Sequence, residues 1–162
     1  MIIHIFEREK FVNRYVDFIN TNFNKNDHKF YIIGNKNDVT IDEWDNLIEI
    51  DGKMKNMVFL IKDLFMSSKI IIHGLFNRKV IFIFFIIRKL LKKSYWTIWG
   101  GDLYWHEFRR HSIKEDMFEY MRKVVIKNLS GLITHIHGDY ELAKKWYGAQ
   151  GNYYYSFLYL AT

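Results

Sequence analysis

The sequence has no cysteine and no proline among its 162 residues. The absence of cysteine excludes disulfides and thiolate metal sites. Average usage would give roughly eight prolines in a chain of this length. We attribute their absence, with the abundance of Ile, Lys, Asn, Phe and Tyr, to an AT-rich coding bias. Long apolar runs are also missing, because the longest, residues 80–87, has eight residues, against the ~20 that span a bilayer.

A secretory signal pattern is missing as well. The N-terminus reaches Glu7, Arg8, Glu9 and Lys10 before any long apolar segment, whereas a signal peptide has a basic start and then an apolar core. Together with the absence of cysteine, this pattern leads us to expect a cytoplasmic location.

The composition is typical of a folded domain in which positive charge is concentrated in one segment. Hydrophobic residues make up 49% and charged residues 26%, which excludes a disordered chain, and the length suits one domain. The formal net charge is +6, and residues 64–101 contain seven basic residues and no acidic one. Nucleic acid is the least suitable anionic partner, because the aromatic residues are not interleaved with the basic ones as in a stacking surface.

Apolar periodicity predicts strands that alternate with helices. Strands are predicted at residues 2–6, 30–33, 46–50, 70–72, 95–99, 131–136 and 153–160, and helices at residues 11–23, 54–65, 79–93, 113–129 and 139–147. Such alternation predicts an α/β fold with a Rossmann-like parallel sheet and helices on both faces.

Three predicted strands are followed by polar, glycine-containing loops. These loops contain HGLFN at residues 73–77, WGGDLY at residues 99–104 and HIHGD at residues 135–139. Because ligands bind beyond the carboxyl ends of parallel strands, we expect the three loops to form one site.

Each candidate residue in these loops has a functional and a structural interpretation. Asp102 can act as a general base or grip a hydroxyl, or it can cap the next helix. His73 suits proton transfer but ends an apolar strand, where a histidine is more often structural. Asp139 is most simply a helix cap, and we interpret His4 and His135, which lie inside strands, as structural.

Other features narrow the class of function. The aromatic cluster of Trp96, Trp99, Tyr104 and Trp105 suits either a sugar-stacking platform or a packed core. No GxGxxG follows the first strand, which disfavours a dinucleotide-dependent oxidoreductase, and neither GxxxxGK[ST] nor HExxH occurs.

The segment from residue 78 to residue 93 has two interpretations. Its middle is apolar on every side and its ends are basic, a pattern typical of an interfacial anchor on an anionic membrane leaflet. A core helix with solvated basic residues at its C-terminus has the same pattern. The residues expected to contact a membrane are Arg78, Lys79, Arg88, Lys89, Lys92 and Lys93.

The loop motifs resemble those of a known family. HGLFN, a hydrophobic helix and then WTIWGGDLY are similar to the pattern HGxFN…WxIWGxDLY of glycosyltransferase family 56. Members of this family transfer N-acetylfucosamine (4-acetamido-4,6-dideoxy-D-galactose) in enterobacterial common antigen synthesis. The later LITHIHGD is similar to a family strand that ends in an Arg-Gly-Asp loop. The resemblance is weak before Ile70 and strong through Tyr104.

The resemblance implies the N-terminal half of a GT-B glycosyltransferase, a two-domain enzyme peripheral to the cytoplasmic face of the bacterial inner membrane. Such an enzyme transfers a sugar from a dTDP-sugar to an undecaprenyl-diphosphate-linked saccharide, without a metal or other cofactor. Asp102 or His73 would be the catalytic base. The residues expected to bind substrate are Gly74, Phe76, Asn77, Trp99, Gly100, Gly101, Tyr104, His137 and Asp139.

The sequence also departs from the family pattern. His137 replaces the arginine, and Phe6-Glu7-Arg8 replaces a glycine-containing loop after the first strand. Family members are also much longer. Residues 1–162 would correspond to the acceptor-side domain, with the donor-binding domain absent, and we expect such a chain to be inactive alone. The alternative function is a non-catalytic α/β module that binds a membrane or a protein partner through its basic apolar segment.

Overall fold

The computed structural model describes residues 1–34, 39–50 and 54–157. Its strands are β1 (Ile2–Glu7), β2 (His28–Ile33), β3 (Leu47–Ile50), β4 (Lys69–His73), β5 (Ser94–Thr97), β6 (Gly131–Thr134) and β7 (Asn152–Tyr155). Its α-helices are α1 (Val12–Asn22), α2 (Met54–Met66), α3 (Arg78–Ile86), α4 (Gly101–Phe108), α5 (Ile113–Asn128) and α6 (His137–Tyr147). Short 3-10 helices occupy Lys25–Asp27 and Arg88–Lys93.

The described residues divide into two compact units, one comprising Met1–Ile72 and the other beginning at His73. In the first unit, β1 pairs with β2 and β2 pairs with β3, all in parallel. The core of this unit includes Ile3 and Phe30, neither of which is exposed at all. Strand β1 is buried on both faces, which explains its nearly continuous apolar sequence.

The second unit contains the carboxyl end of β4 and the parallel pairs β5–β6 and β6–β7. Local signals fix its helices. Asn77 caps α3 by accepting from the backbone N–H groups of Lys79 and Val80. Ser112 caps α5 by accepting from the N–H of Glu115, as a Ser-x-x-Glu sequence predicts.

The strand order is β3-β2-β1-β4-β5-β6-β7, and β4 contains the division between the two units. Crossover connections between parallel strands place helices against the sheet. The predicted fold class, α/β and Rossmann-like, is confirmed.

Three predictions about individual elements are wrong. The helix predicted at residues 79–93 ends at Ile86, and a 3-10 helix follows it. Helix α4, Gly101–Phe108, was not predicted because its glycines resemble a loop. Helix α6 begins at His137 with Ile136 at its N-cap, so Asp139 lies in the first turn and is not the cap.

The last predicted strand and the expected absence of a membrane span can be compared with the described residues only. The last predicted strand is confirmed as far as Tyr155, whereas its final residues, 158–160, lie outside the described residues. Within the described ranges, no helix has both the length and the apolar character needed to cross a membrane.

Candidate functional site

The three loops predicted to form one site are in contact within the second unit. The backbone N–H of Leu75, in the loop after β4, donates to Asp102 Oδ2 over 3.0 Å. The hydroxyl of Tyr104, in α4, donates to Asp139 Oδ1 over 3.1 Å. Each of these two bonds joins a pair of successive loops, so the convergence predicted from the parallel strands is confirmed.

The centre of this edge is the carboxylate of Asp102, whose residue is completely buried. Its Oδ2 accepts from the N–H of Leu75 and, over 2.6 Å, from the indole Nε1 of Trp96. Its Oδ1 accepts from the backbone N–H groups of Trp99 and Leu103, each over 3.0 Å. The side chain therefore joins the loop after β4, strand β5 and the first turn of α4.

These bonds determine what Asp102 can do chemically. Two carboxylate oxygens offer about four acceptor positions, and four donors occupy them. Burial raises the pKa of the Asp102 carboxyl, and the hydrogen bonds from Trp96, Leu75 and Trp99 oppose that rise. A general base must reach the proton that it removes. The geometry therefore favours a positioning role for Asp102 over the catalytic one that the sequence suggested.

Two glycines of the edge adopt backbone angles that other residues avoid. Gly74 has φ +79° and Gly100 has φ +81°. A Cβ on Gly74 would lie 3.9 Å from Asp102 Oδ2. At Gly100, with ψ −66°, the chain makes a sharp turn immediately before α4. Glycine at these two positions adopts the positive φ without the strain that a Cβ would add.

The other candidate residues in the loop after β4 differ in their exposure and in their hydrogen bonds. His73, the second catalytic candidate, ends β4 and is 4% exposed. Phe76 is 41% exposed, and its ring lies 3.5 Å from the position that a Cβ would take on Gly101. The side-chain oxygen of Asn77 caps α3, so only its amide nitrogen is left as a candidate group for substrate.

In the third loop, Asp139 is buried and His137 is exposed. Asp139 is 3% exposed and accepts the hydrogen bond of Tyr104, which raises the pKa of the Tyr104 phenol. His137 is exposed, with its imidazole perpendicular to the ring of Tyr153 at 5.3 Å. Among the residues predicted to bind substrate, Tyr104 and His137 therefore carry polar side chains at exposed positions.

The aromatic cluster divides between core and edge. Trp96 is completely buried, whereas Trp99 and Trp105 are partly exposed and Tyr104 is 36% exposed. The core interpretation is therefore confirmed for Trp96, and the sugar-stacking interpretation of the exposed members stays a prediction. Trp96 belongs to the core, and Trp99, Tyr104 and Phe76 provide aromatic surface at the edge.

Sequence reasoning missed a buried polar network behind the edge. Arg122 of α5 is completely buried, and it donates to the backbone oxygen of Asp102 over 2.5 Å. It also donates to Glu119 and to the hydroxyl of Tyr147. A signal was present, because Arg122 follows Phe118 by four residues and precedes Val125 by three, on the apolar face of the helix.

The six basic residues predicted to contact a membrane are not gathered at one place. Arg78 and Lys79 begin α3 at the edge formed by the loops, whereas Lys92 and Lys93 precede β5 at the opposite edge of the strands. Arg78 pairs with Glu115 of α5. Over its nine residues, α3 buries one face and exposes Phe82 and Ile86 on another. One face of α3 therefore packs in the core, and contact of this segment with a membrane stays a prediction.

Within the described ranges, no three histidine, aspartate or glutamate side chains are grouped as ligands for a metal ion.

Comparison with known proteins gives a likeness of fold and no match of sequence. The sequence matches no protein-family model, and no curated protein matches it. The chain is similar in structure to a wide-type short-chain dehydrogenase/reductase from Veillonella parvula DSM 2008, solved in complex with NADP. That likeness has a TM-score of 0.49 and 13% sequence identity, and it covers 82% of this chain and 67% of the other. It indicates neither activity nor ligand for this chain.

Proposed function

We propose that this chain is the acceptor-side domain of a glycosyltransferase. The reaction transfers an acetamido-dideoxyhexose of the 4-acetamido-4,6-dideoxygalactose type from a dTDP-sugar to an undecaprenyl-diphosphate-linked saccharide, at the cytoplasmic face of the inner membrane. One observation carries the proposal. The two halves of the motif that resembles glycosyltransferase family 56, HGLFN and WGGDLY, are joined through the hydrogen bond from Leu75 N–H to the Asp102 carboxylate.

The exposed groups of the edge suit a saccharide. Sugars present apolar ring faces and many hydroxyls, which aromatic surfaces and hydrogen-bonding side chains bind together. Phe76 provides an exposed ring, and Tyr104 and His137 provide polar groups that solvent reaches. The proposal assigns acceptor binding to these three side chains and to the amide of Asn77.

The reaction requires a base near the acceptor hydroxyl. In the proposed step the base takes the hydroxyl proton, the oxygen attacks the anomeric carbon of the donor, and dTDP leaves with the bonding electrons. His73 is the remaining candidate base, with Asp102 as the residue that positions its loop. The proposal places dTDP on a separate donor-binding domain and requires no cofactor.

Acceptor binding tests this proposal directly. The probe is a disaccharide linked through a diphosphate to a farnesyl chain, a short and soluble analogue of the lipid-linked acceptor. Tryptophan fluorescence reports binding, because Trp99 lies at the edge. We expect Phe76→Ala to weaken binding about tenfold through lost aromatic contact. Tyr104→Phe should weaken it several-fold.

A matched control is available in the other unit. Phe23 is 54% exposed, comparable with Phe76, and Phe23→Ala should leave binding unchanged. The proposal is wrong if the chain does not bind the acceptor analogue, or if Phe76→Ala and Phe23→Ala bind it equally well.

A further inference from the structure

Strand β7 is the outer strand of the second unit. It pairs in parallel with β6, and within the described residues no strand lies on its other side. The N–H of Ser156 donates to the backbone oxygen of Thr134 in β6 over 3.4 Å. Backbone groups point to alternate sides along a strand, so the N–H and C=O groups of Tyr153 and Tyr155 point away from β6. Within the described ranges, no other group forms a hydrogen bond with them.

The outer strand of the first unit, β3, is protected by the chain itself. Its pairing with β2 leaves the backbone groups of Leu47 and Glu49 on the outer side. The N–H of Leu47 donates to Trp44 O over 3.1 Å, and the C=O of Glu49 accepts from the Asn56 side chain over 3.1 Å. Glu49 also places a charge on this edge. Charged side chains and covering segments are the means by which proteins prevent pairing between edge strands.

The sequence of β7 lacks these protective features. Residues 152–156 are Asn-Tyr-Tyr-Tyr-Ser, with no charged residue, proline or glycine among them. The side chains of Tyr154 and Tyr155 are well exposed, and Tyr155 is 61% exposed. Tyrosine favours extended structure. An uncharged, aromatic edge with outward N–H and C=O groups is a template on which a further strand can pair.

The order of residue types makes β7 complementary to a second copy of itself. When two such strands pair antiparallel about a two-fold axis at Tyr154, Tyr153 lies opposite Tyr155 of the second copy. These two residues then exchange both of their backbone hydrogen bonds, on each side of the axis. Tyr154 lies opposite its own counterpart, and Asn152 opposite Ser156. Self-pairing therefore aligns tyrosine with tyrosine and amide with hydroxyl, and it brings no like charges together.

We propose that β7 pairs antiparallel with β7 of a second copy of this chain, so that two sheets join edge to edge. The same surface is used by both copies, so the contact closes on itself and the assembly stops at a dimer. One short strand buries less area than a permanent interface, and the dimer is therefore weak and reversible. The inference goes beyond the proposed function and does not depend on it, because none of the side chains assigned to acceptor binding belongs to β7.

Sedimentation equilibrium and hydrogen exchange together test the pairing. The chain should pass from monomer to dimer with a dissociation constant on the order of 10 μM. In the dimer, the amides of Tyr153 and Tyr155 should exchange about tenfold more slowly than in the monomer, because only the second copy accepts from them. The amide of Tyr154 faces β6 in both states, so its exchange should change much less.

Two substitutions at Tyr155 interrupt the pairing in different ways. Tyr155→Pro removes an N–H that β6 does not use, a position where edge strands tolerate proline, and should abolish the dimer. Tyr155→Lys places a charge on the edge and should weaken the dimer about tenfold. The matched control is Tyr120→Lys on α5, because Tyr120 is also 61% exposed. It should leave the dissociation constant unchanged.

Three outcomes would overturn the proposal. The first is a chain that stays monomeric at about 100 μM, and the second is a Tyr155→Lys variant that dimerises as tightly as Tyr120→Lys. The third is a dimer in which the amides of Tyr153 and Tyr155 exchange as rapidly as in the monomer, since the copies would then meet elsewhere. The exchange measurement uses the unmodified chain, so it decides the question even if Tyr155→Pro does not fold.

Discussion

The buried carboxylate of Asp102 gives the sharpest prediction about this chain, because four donors converge on it. In Asp102→Asn the amide oxygen can accept two of these hydrogen bonds. The amide nitrogen then faces the other two donors, whichever way the amide is oriented. An unsatisfied buried donor costs about 1–3 kcal/mol.

The net effect on stability follows from these numbers. Two orphaned donors cost about 2–6 kcal/mol, and removal of a buried negative charge offsets part of that cost. We expect the free energy of unfolding to fall by about 3 kcal/mol. With a urea m-value of about 2 kcal/mol/M, the midpoint would fall by about 1.5 M. Urea titration followed by tryptophan fluorescence measures this shift, and Trp96 itself donates to the carboxylate.

Asp116→Asn is the matched control. Asp116 is half exposed and pairs with Arg109 at the surface, where an ion pair contributes little to stability. Its midpoint should therefore move little. If Asp102→Asn unfolds at the same urea concentration as the unmodified chain, Asp102 does not hold the loops together, and its role as a catalytic base would again deserve a test.

Three further predictions concern pH, backbone conformation and a single hydrogen bond. Burial, with a smaller effect of a neighbouring histidine, lowers the pKa of His4 to about 3 from its ordinary value of 6.5. Below pH 6.5, His4 therefore binds a proton in the unfolded chain but not in the folded chain. Stability should fall as pH drops from 6.5 towards 3, by about 2 kcal/mol at pH 5, and urea titrations of His4→Phe should show a shallower fall. Gly100→Ala should lose about 1–2 kcal/mol in the same assay because of its positive φ, whereas Gly101→Ala should stay within about 0.5 kcal/mol; equal losses would refute the backbone argument. Tyr104→Phe leaves the buried Asp139 without that donor and should lower the Tm by about 2–4 °C, and an unchanged Tm would show that this bond adds nothing to stability.

Periodicity was sufficient for most of the elements because local sequence determines them. The alternation of apolar residues placed β1, α1 and α2 within a residue or two of their bounds. Helix α4 escaped detection because Gly100 and Gly101 have the composition of a turn. The end of α3 at Ile86 was also missed, since no glycine or proline marks it.

The sequence predicted where the candidate site lies, but not which of its residues are free to act chemically. Glycine-containing loops after parallel strands indicated the edge, and the bonds Leu75–Asp102 and Tyr104–Asp139 confirm that these loops meet. The sequence could not show that Asp102 is saturated with donors. Three of those donors are backbone N–H groups, which every residue except proline carries.

The local sequence determines where charge is concentrated along the chain, whereas the tertiary structure determines which apolar side chains are exposed. The sequence by itself determined that positive charge is concentrated between residues 64 and 101, and that the fold is α/β. Only the tertiary structure decided which apolar side chains remain outside the core. Periodicity shows that a stripe exists on a helix, whereas burial depends on what packs against it. The exposure of Ile113 and Met117 on α5, like that of Phe82 and Ile86 on α3, was therefore visible only once these helices were packed.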